Sequence, residues 1–415
     1  MPLSRTPDDA VYLDHAAATP LDPEVAAAMD EAAAIAYGNP SSPHAAGRAA
    51  KRILEDAREQ LLQLIGGRVG GTARDRLVFT SGATEANRLG VVGLAGSHAA
   101  RQAAGTVAIS ARDHSSLGAA ATELGGLGWQ VCELPLVGAG TVDFARAPAR
   151  AEAPATRILT TTTVCGQTGI RDDLAGVARL ATDGWLVHAD ATQAAAWDEI
   201  AFAAGPWATL ALAAHKFGGP RGIGGLVVRH GITLAPVAAG PQELGLRGGT
   251  EPVSLAVGFA RALGLAAATR AAAAARISAL RERLERGILA AAHAAGIEAI
   301  VVGAQAPRAP HVALIALAGL DRQAVAMAAD LAGVCLATGT ACASGSAEPP
   351  AILGSLRLPD RFQRGAIRLS LARTTTTTDI DRAVARLEAV FRRLGATPSP
   401  GSDRPTAGIS GLSDS

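Results

Sequence analysis

Between residues 77 and 229, short apolar runs alternate with longer stretches whose apolar residues recur every three or four positions. The runs LVFT (77–80), TVAIS (106–110), WQVCEL (129–134), RILTTTT (157–163), WLVHA (185–189), TLALAA (209–214) and GGLVVR (224–229) read as strands. Stretches 84–97, 115–126 and 172–183, lying between them, read as helices. Such alternation predicts an α/β fold with a mostly parallel sheet covered on both faces. In that architecture ligand sites form at the carboxyl ends of the strands.

From about residue 252 the rhythm changes. A long Ala/Arg/Leu-rich helix is expected over roughly 252–295. The runs EAIVVG and HVALIAL follow, then a helix near 321–332, a loop around Cys342, the strand AIRLSL and a last helix. In that last helix Ile380, Val384, Leu387, Phe391 and Leu394 share one face. This region reads as a smaller α+β unit. No repeat of 20–50 residues is visible.

Composition adds mainly exclusions. With 415 residues and 49% hydrophobic content, the chain can bury a large core and more than one unit. The 38 basic and 37 acidic residues give a net charge of +1, which offers no footprint for nucleic acid or an anionic membrane. Cys132, Cys165, Cys335 and Cys342 match neither a disulfide framework nor a CxxC metal site. The start, MPLSRTPDDAVYLDH, lacks an apolar signal core, and runs such as LGLAAATRAAAAARI are interrupted by arginine. A cytoplasmic location is the default expectation.

Four stretches carry candidate chemistry. In LVFTSGATEANRLG a strand enters Ser81, Gly82, Ala83 and Thr84 before a helix. Free N–H groups and the Thr84 hydroxyl there suit a phosphate, or simply cap the helix. In WLVHADATQAAA, Asp190 sits just past a buried strand, where a carboxylate must be paired, hydrated or functional; Gln193 follows. In LALAAHKFGGPRGIGGLVV, Lys216 ends an apolar strand ahead of a Gly-rich turn. A Schiff-base lysine and a snorkelling surface lysine both fit. RDHSSL places His114 at another strand end, as a ring partner or an ordinary turn residue. Together, an anion site, a buried acid and a strand-end lysine match what pyridoxal 5'-phosphate requires.

The segments VYLDHAAATPLDPEV, YGNPSSPHAAGRAA, FTSGATEANRLG, HADATQ, HKFGGPRGIGG, LRGGTEP, TGTACASGSAEP and IRLSLAR occur in this order over about residues 11–396. In that set the chain resembles the cysteine desulfurases, within the class V aminotransferase group of fold-type I pyridoxal-phosphate enzymes. The resemblance implies a large cofactor-binding domain over 22–262 with a seven-stranded sheet. It implies a small domain from 1–21 and 263–396 that carries the cysteine loop. Residues 397–415, rich in Pro, Gly, Ser and Asp, are expected to be a disordered tail. Lys216 would carry the cofactor, Asp190 would pair with its ring nitrogen and Gln193 would bond its ring oxygen. His114 would stack on the ring and move protons. Gly82, Ala83, Thr84 and His215 would hold the phosphate, with Thr250 reaching it from a second subunit of a homodimer. Arg368 would clamp the substrate carboxylate, and Asn39 and His44 would lie near the site mouth. Cys342 aligns with the catalytic cysteine, whose thiolate takes sulfur from L-cysteine as a persulfide, releases alanine and passes the sulfur to an acceptor protein.

Two departures from the family pattern stand out. Cys165 and Gly166 occupy the places of two asparagines, the second of which bonds the ring oxygen, and Gln167 replaces a glutamate. Ala213 replaces a serine that contacts the phosphate. A small buried residue is the plainer role for Cys165, as for Cys132 and Cys335; a secondary sulfur role is the sharper one. The departures keep open a selenocysteine lyase, another amino-acid lyase or epimerase, or a non-catalytic scaffold. The acceptor is not legible: iron–sulfur cluster assembly, tRNA thiolation and cofactor synthesis share this chemistry.

Overall fold

All seven apolar runs between residues 77 and 229 are strands of one sheet in a computed structural model, which describes residues 9–99, 104–149, 156–238, 240–339 and 351–395. In spatial order they are Arg76–Thr80, Gly224–Val228, Thr209–Ala213, Leu186–Asp190, Arg157–Thr162, Thr106–Ser110 and Gln130–Leu134. Only Gly224–Val228 runs antiparallel to its neighbours; the other pairings are parallel. Thr80, Ser110, Thr162, Asp190 and Ala213 therefore end at one edge of the sheet, beside Gly224. That edge is where loops can gather side chains from several strands.

Six of the seven strands are buried on both faces, while the edge strand Gln130–Leu134 exposes Gln130, Val131 and Glu133. Leu77, Phe79, Leu210, Leu212 and Val227 join one apolar cluster, and Val78, Ala211, Leu226 and Val228 join another on the opposite side. The period-2 alternation of side chains sends neighbours in each run to different cores. Helices Ala83–Ala99 and Ser115–Gly126 pack together on the second side. Helix Val253–Ala294 packs on Pro23–Ile35, Ala45–Leu64 and Thr377–Gly395. It is the one helix among the described residues long and apolar enough to cross a membrane. Its Phe259, Leu263, Ile277, Leu284 and Ile288 are buried in the first core.

Pro23–Ile35 and Ala45–Leu64 were not read from the hydrophobic pattern; the first is alanine-rich with a faint apolar stripe, whereas the second buries Ala50, Leu54, Ala57 and Leu61 along a distinct one. Their caps are nonetheless written in the sequence. Asp22 accepts a hydrogen bond from the Glu24 N–H (3.0 Å), and His44 accepts one from the Gly47 N–H (3.2 Å).

A second, antiparallel sheet joins Ala299–Val301, Val312–Leu317 and Ala366–Ser370. The N-terminal segment connects it to the first sheet's edge. Val11–Tyr12 pairs with Val334–Cys335, the Ser370 N–H donates to the Leu13 carbonyl (2.7 Å), and the Thr19 N–H donates to the His215 carbonyl (2.9 Å). Ile380, Leu387 and Phe391 of the last helix are fully buried, while Val384 and Leu394 are partly buried on the same face. The expected tail at 397–415 lies outside the described residues.

Candidate active site

Asp190 ends the strand Leu186–Asp190 and is 4% exposed. One carboxylate oxygen accepts from Asn87 Nδ2 (2.9 Å), and the other accepts from the Thr192 N–H (2.9 Å). Asn87 stands on helix Ala83–Ala99, across the sheet edge. Its Nδ2 also donates to Ser116 Oγ (2.9 Å), and its Oδ1 faces His188 Nε2 (3.0 Å). A carboxylate only accepts, which fixes which end of the Asn87 amide is nitrogen. His188 therefore carries its proton on Nε2, and its Nδ1 accepts from the Thr209 hydroxyl (2.8 Å). Burial pushes the His188 imidazole down to about 4, against the pull of Asp190, so the ring is neutral near pH 7.

The same network reaches His114. Ser116 accepts from Asn87, so its own hydroxyl proton points to His114 Nδ1 (2.8 Å). His114 Nδ1 also caps the helix Ser115–Gly126, accepting from the Ser116 N–H (3.2 Å). The proton of the neutral ring is thus on Nε2. Burial lowers the His114 pKa, Asp190 raises it and Lys216 lowers it. Asp190 and Lys216 therefore both act on His114. The preceding Asp113 ties this turn to the sheet. It accepts from the Ser110 N–H (3.0 Å) and from the hydroxyls of Thr160 (2.6 Å) and Thr162 (2.9 Å). Burial pushes its carboxyl up to about 6.

Lys216 ends the short 3-10 turn Ala214–Lys216, which follows the strand Thr209–Ala213. Its Nζ donates to the carbonyls of Ala16 and Ala17, both at 2.9 Å. Gln193 Nε2 donates to the same Ala16 carbonyl (2.9 Å). One oxygen of the N-terminal segment thus joins the lysine to the glutamine. Gln193 Oε1 faces His311 Nε2 at 3.1 Å. His215, beside Lys216, is pushed down to about 4 by burial and by the cations of Lys216 and Arg221.

Arg368 enters from the second sheet, 4% exposed. It donates to Asp14 Oδ1 (2.8 Å) and to the Gly166 carbonyl (3.0 Å), and its Nε is buried with no partner among the described residues. A Cβ on Gly166 would lie 3.4 Å from Gln193 Nε2. The position that departs from the family pattern is therefore in contact with the site. Cys165 is 1% exposed among Leu314, Ile352 and Phe362, which is the core role expected of it. Cys132 and Cys335 are half-buried, and burial raises both thiols.

Gly82 and Ala83 form the turn into helix Ala83–Ala99, with Thr84 in its first turn. A Cβ on Gly82 would meet nothing within 4 Å. Gly224 is a glycine of necessity, since its Cβ would come within 2.6 Å of the Gly82 carbonyl carbon. Glu85 accepts from the Ser81 N–H (2.6 Å) and pairs with Arg247 (2.9 Å). Ala213, fully buried, pairs with Gly224.

Asn39 and Thr250 sit apart from this cluster. Both line a shallow pocket of about 260 Å³ with Tyr37 and Gly38. Among the described residues no hydrogen bond joins either to Lys216, Asp190 or His114. Cys342 lies outside the described residues.

Asn87, Ser116, His188, His311 and Asp14 were missed by the reading of the sequence. A signal existed for His188: a polar ring inside the apolar run WLVHAD must find partners. Asn87, on a helix with many apolar residues, carried the same signal less plainly.

Known proteins resemble this chain over nearly its whole length. The family model "Aminotransferase class-V" matches residues 11–383. A cysteine desulfurase of Cereibacter sphaeroides is 35% identical over 95% of this chain and 98% of its own. An IscS-like cysteine desulfurase of Mycobacterium tuberculosis is 33% identical over 95% of this chain and 100% of its own. Among solved structures, a NifS-like protein superposes with a TM-score of 0.82 at 24% identity, covering 93% of this chain and 100% of that one. SspA in complex with cysteine does so with a TM-score of 0.73 at 25% identity, covering 88% and 99%. The chain belongs to the class-V aminotransferase family, in its cysteine desulfurase branch.

Proposed function

We propose that the chain is a pyridoxal-phosphate-dependent cysteine desulfurase that converts L-cysteine to L-alanine and carries the sulfur as a persulfide on Cys342. The observation that carries this reading is the convergence of Lys216, Asp190 and His114 at one sheet edge, in a chain 35% identical to a cysteine desulfurase.

The residues present fit the cofactor. A buried carboxylate held by two donors supplies fixed negative charge for a pyridine nitrogen. The open space at Gly82, at the start of a long helix, suits a phosphate. Lys216 would hold the cofactor covalently, Asp190 its ring nitrogen, Gln193 its ring oxygen, and Thr84 with His215 its phosphate. When bound, pyridoxal phosphate supplies an electron sink for the pair left as the substrate's α-proton departs. Arg368, already braced by Asp14 and Gly166, orients the substrate carboxylate. His114 holds a proton on Nε2 and donates it in a hydrogen bond toward the site; it acts as a general acid only after the ring has taken up a second proton. The Cys342 thiolate attacks the substrate sulfur; an S–S bond forms, the C–S bond breaks with its electron pair left on the β-carbon, and a proton taken there, with one returned to the α-carbon, gives alanine.

A homodimer is part of the reading. Thr250 is exposed in its own chain and away from the Lys216 cluster, as a residue that serves a second copy would be. We further assign residues 22–262 to a cofactor-binding domain and 1–21 with 263–396 to a small domain. A cytoplasmic location and an acceptor protein complete the proposal.

The test is direct. Purified protein should be yellow, should become irreversibly labelled at Lys216 when borohydride is added, and should release alanine from L-cysteine. A colourless protein that takes no label, or one that responds only to another amino acid, would contradict it.

A further inference from the structure

We infer that His311 is a positioning residue for the proposed cofactor site: it locks the Gln193 amide so that one glutamine does the work for which the family pattern supplies an asparagine as well. This rests on the reading of Gln193 as a ligand of the cofactor's ring oxygen.

The orientation of the amide follows from its partners. The Ala16 carbonyl can only accept, so the Gln193 atom 2.9 Å from it is Nε2. Oε1 then faces His311 Nε2 at 3.1 Å, and that nitrogen must carry the imidazole proton. A charged ring would serve equally as donor, but the site forbids one. Burial, with Arg171, His15, Arg281 and Arg368 around it, pushes His311 down to about 3. Its Nδ1 is buried without a partner among the described residues, as befits a neutral ring holding a lone pair there. Trp197 stacks on the imidazole, centroids 4.9 Å apart and planes 15° from parallel. The donor is thus fixed in plane as well as in protonation.

What remains on Gln193 is the second Nε2 proton. The nearest heavy atom to a Cβ built on Gly166 is that same Nε2, at 3.4 Å. The amide nitrogen therefore borders the space an asparagine side chain at 166 would enter. With glycine there, the ring oxygen has Gln193 as its remaining amide donor. A freely turning amide would present Oε1, an acceptor, to an anionic oxygen for part of the time. The His311 hydrogen bond removes that alternative.

The test compares His311→Leu, His311→Gln and the double variant His311→Leu/Gly166→Asn with the wild-type holoenzyme. Two properties are read: cofactor retention during dialysis, and the pH at which the visible band of bound cofactor titrates. Losing a donor to the ring oxygen destabilises its anion, so His311→Leu should raise that pH by about half a unit to one unit. It should also loosen the cofactor by about three- to tenfold. His311→Gln, which keeps an N–H donor, should stay close to wild type. Gly166→Asn, which brings a new donor, should restore the double variant. Thermal stability without cofactor reports a purely structural role. If His311→Leu lowers that stability yet leaves both readouts unmoved, the inference is overturned. Should His311→Leu not fold, His311→Gln behaving like wild type while His311→Ala shifts both readouts supports it, and no difference between those two overturns it. A wild-type protein that binds no pyridoxal phosphate would instead remove the reading on which the inference rests.

Discussion

Asn87 is the residue on which the site's polar groups depend most. It donates to Asp190 and Ser116 and accepts from His188, so its amide sets the direction of every proton between Thr209 and His114. Asn87→Leu keeps the volume and removes these partners. We expect a loss of about 1–3 kcal/mol in unfolding free energy for each buried group left unpaired, read by urea titration, together with weaker cofactor retention. Unchanged stability would mean that water replaces the amide without cost. Arg368 gives a second prediction at this scale. Arg368→Lys keeps the charge and loses the fork that grips Asp14 and Gly166. The KM for cysteine should rise by about tenfold while kcat falls less; an unchanged KM would remove Arg368 from substrate binding.

The elements that carry these residues were legible in the sequence to different degrees. Seven strands and the helices among them could be read because the apolar runs are short and their alternation with longer periodic stretches is regular. Pro23–Ile35 could not, since alanine contributes little contrast between its faces, whereas Ala45–Leu64 carries a distinct apolar face of Ala50, Leu54, Ala57 and Leu61 that was passed over. Lys216, Asp190 and His114 were readable because they stand where strands end. His311 and Asp14 were not, because their roles come from contacts across 118 and 354 positions of chain. Gly224 shows how tightly the elements are fitted at the site. A methyl group there would meet the Gly82 backbone at 2.6 Å and the Leu212 carbonyl at 2.7 Å. Gly224→Ala should cost about 1–3 kcal/mol and displace the turn proposed to hold the phosphate. Calorimetry and phosphate-competition measurements would detect both effects, and a variant matching wild type in each would show that the turn can yield.

At the scale of the whole molecule, neutral buried histidines set an acid limit. His15 and His188 are pushed down to about 4 and His311 to about 3, chiefly by burial, from an ordinary value near 6.5. Groups with depressed values contribute stability that is complete above pH 6.5 and is lost as the pH falls through their folded values. Asp113, raised to about 6, runs the other way and gains as the pH falls. These three histidines, with His215 acting in the same direction, outweigh Asp113, so the thermal midpoint should decline from pH 7 towards pH 4; a flat profile would show that these rings accept protons in the folded state. The central claim concerns the sulfur itself. Its most direct test is the mass of the Cys342 peptide after a single turnover with L-cysteine and no acceptor. We expect one added sulfur atom on Cys342, removable by thiol reductant and matched by one alanine, with neither the adduct nor sulfur delivery in Cys342→Ala. Alanine formed in step with sulfur release while Cys342 stays unmodified would contradict it.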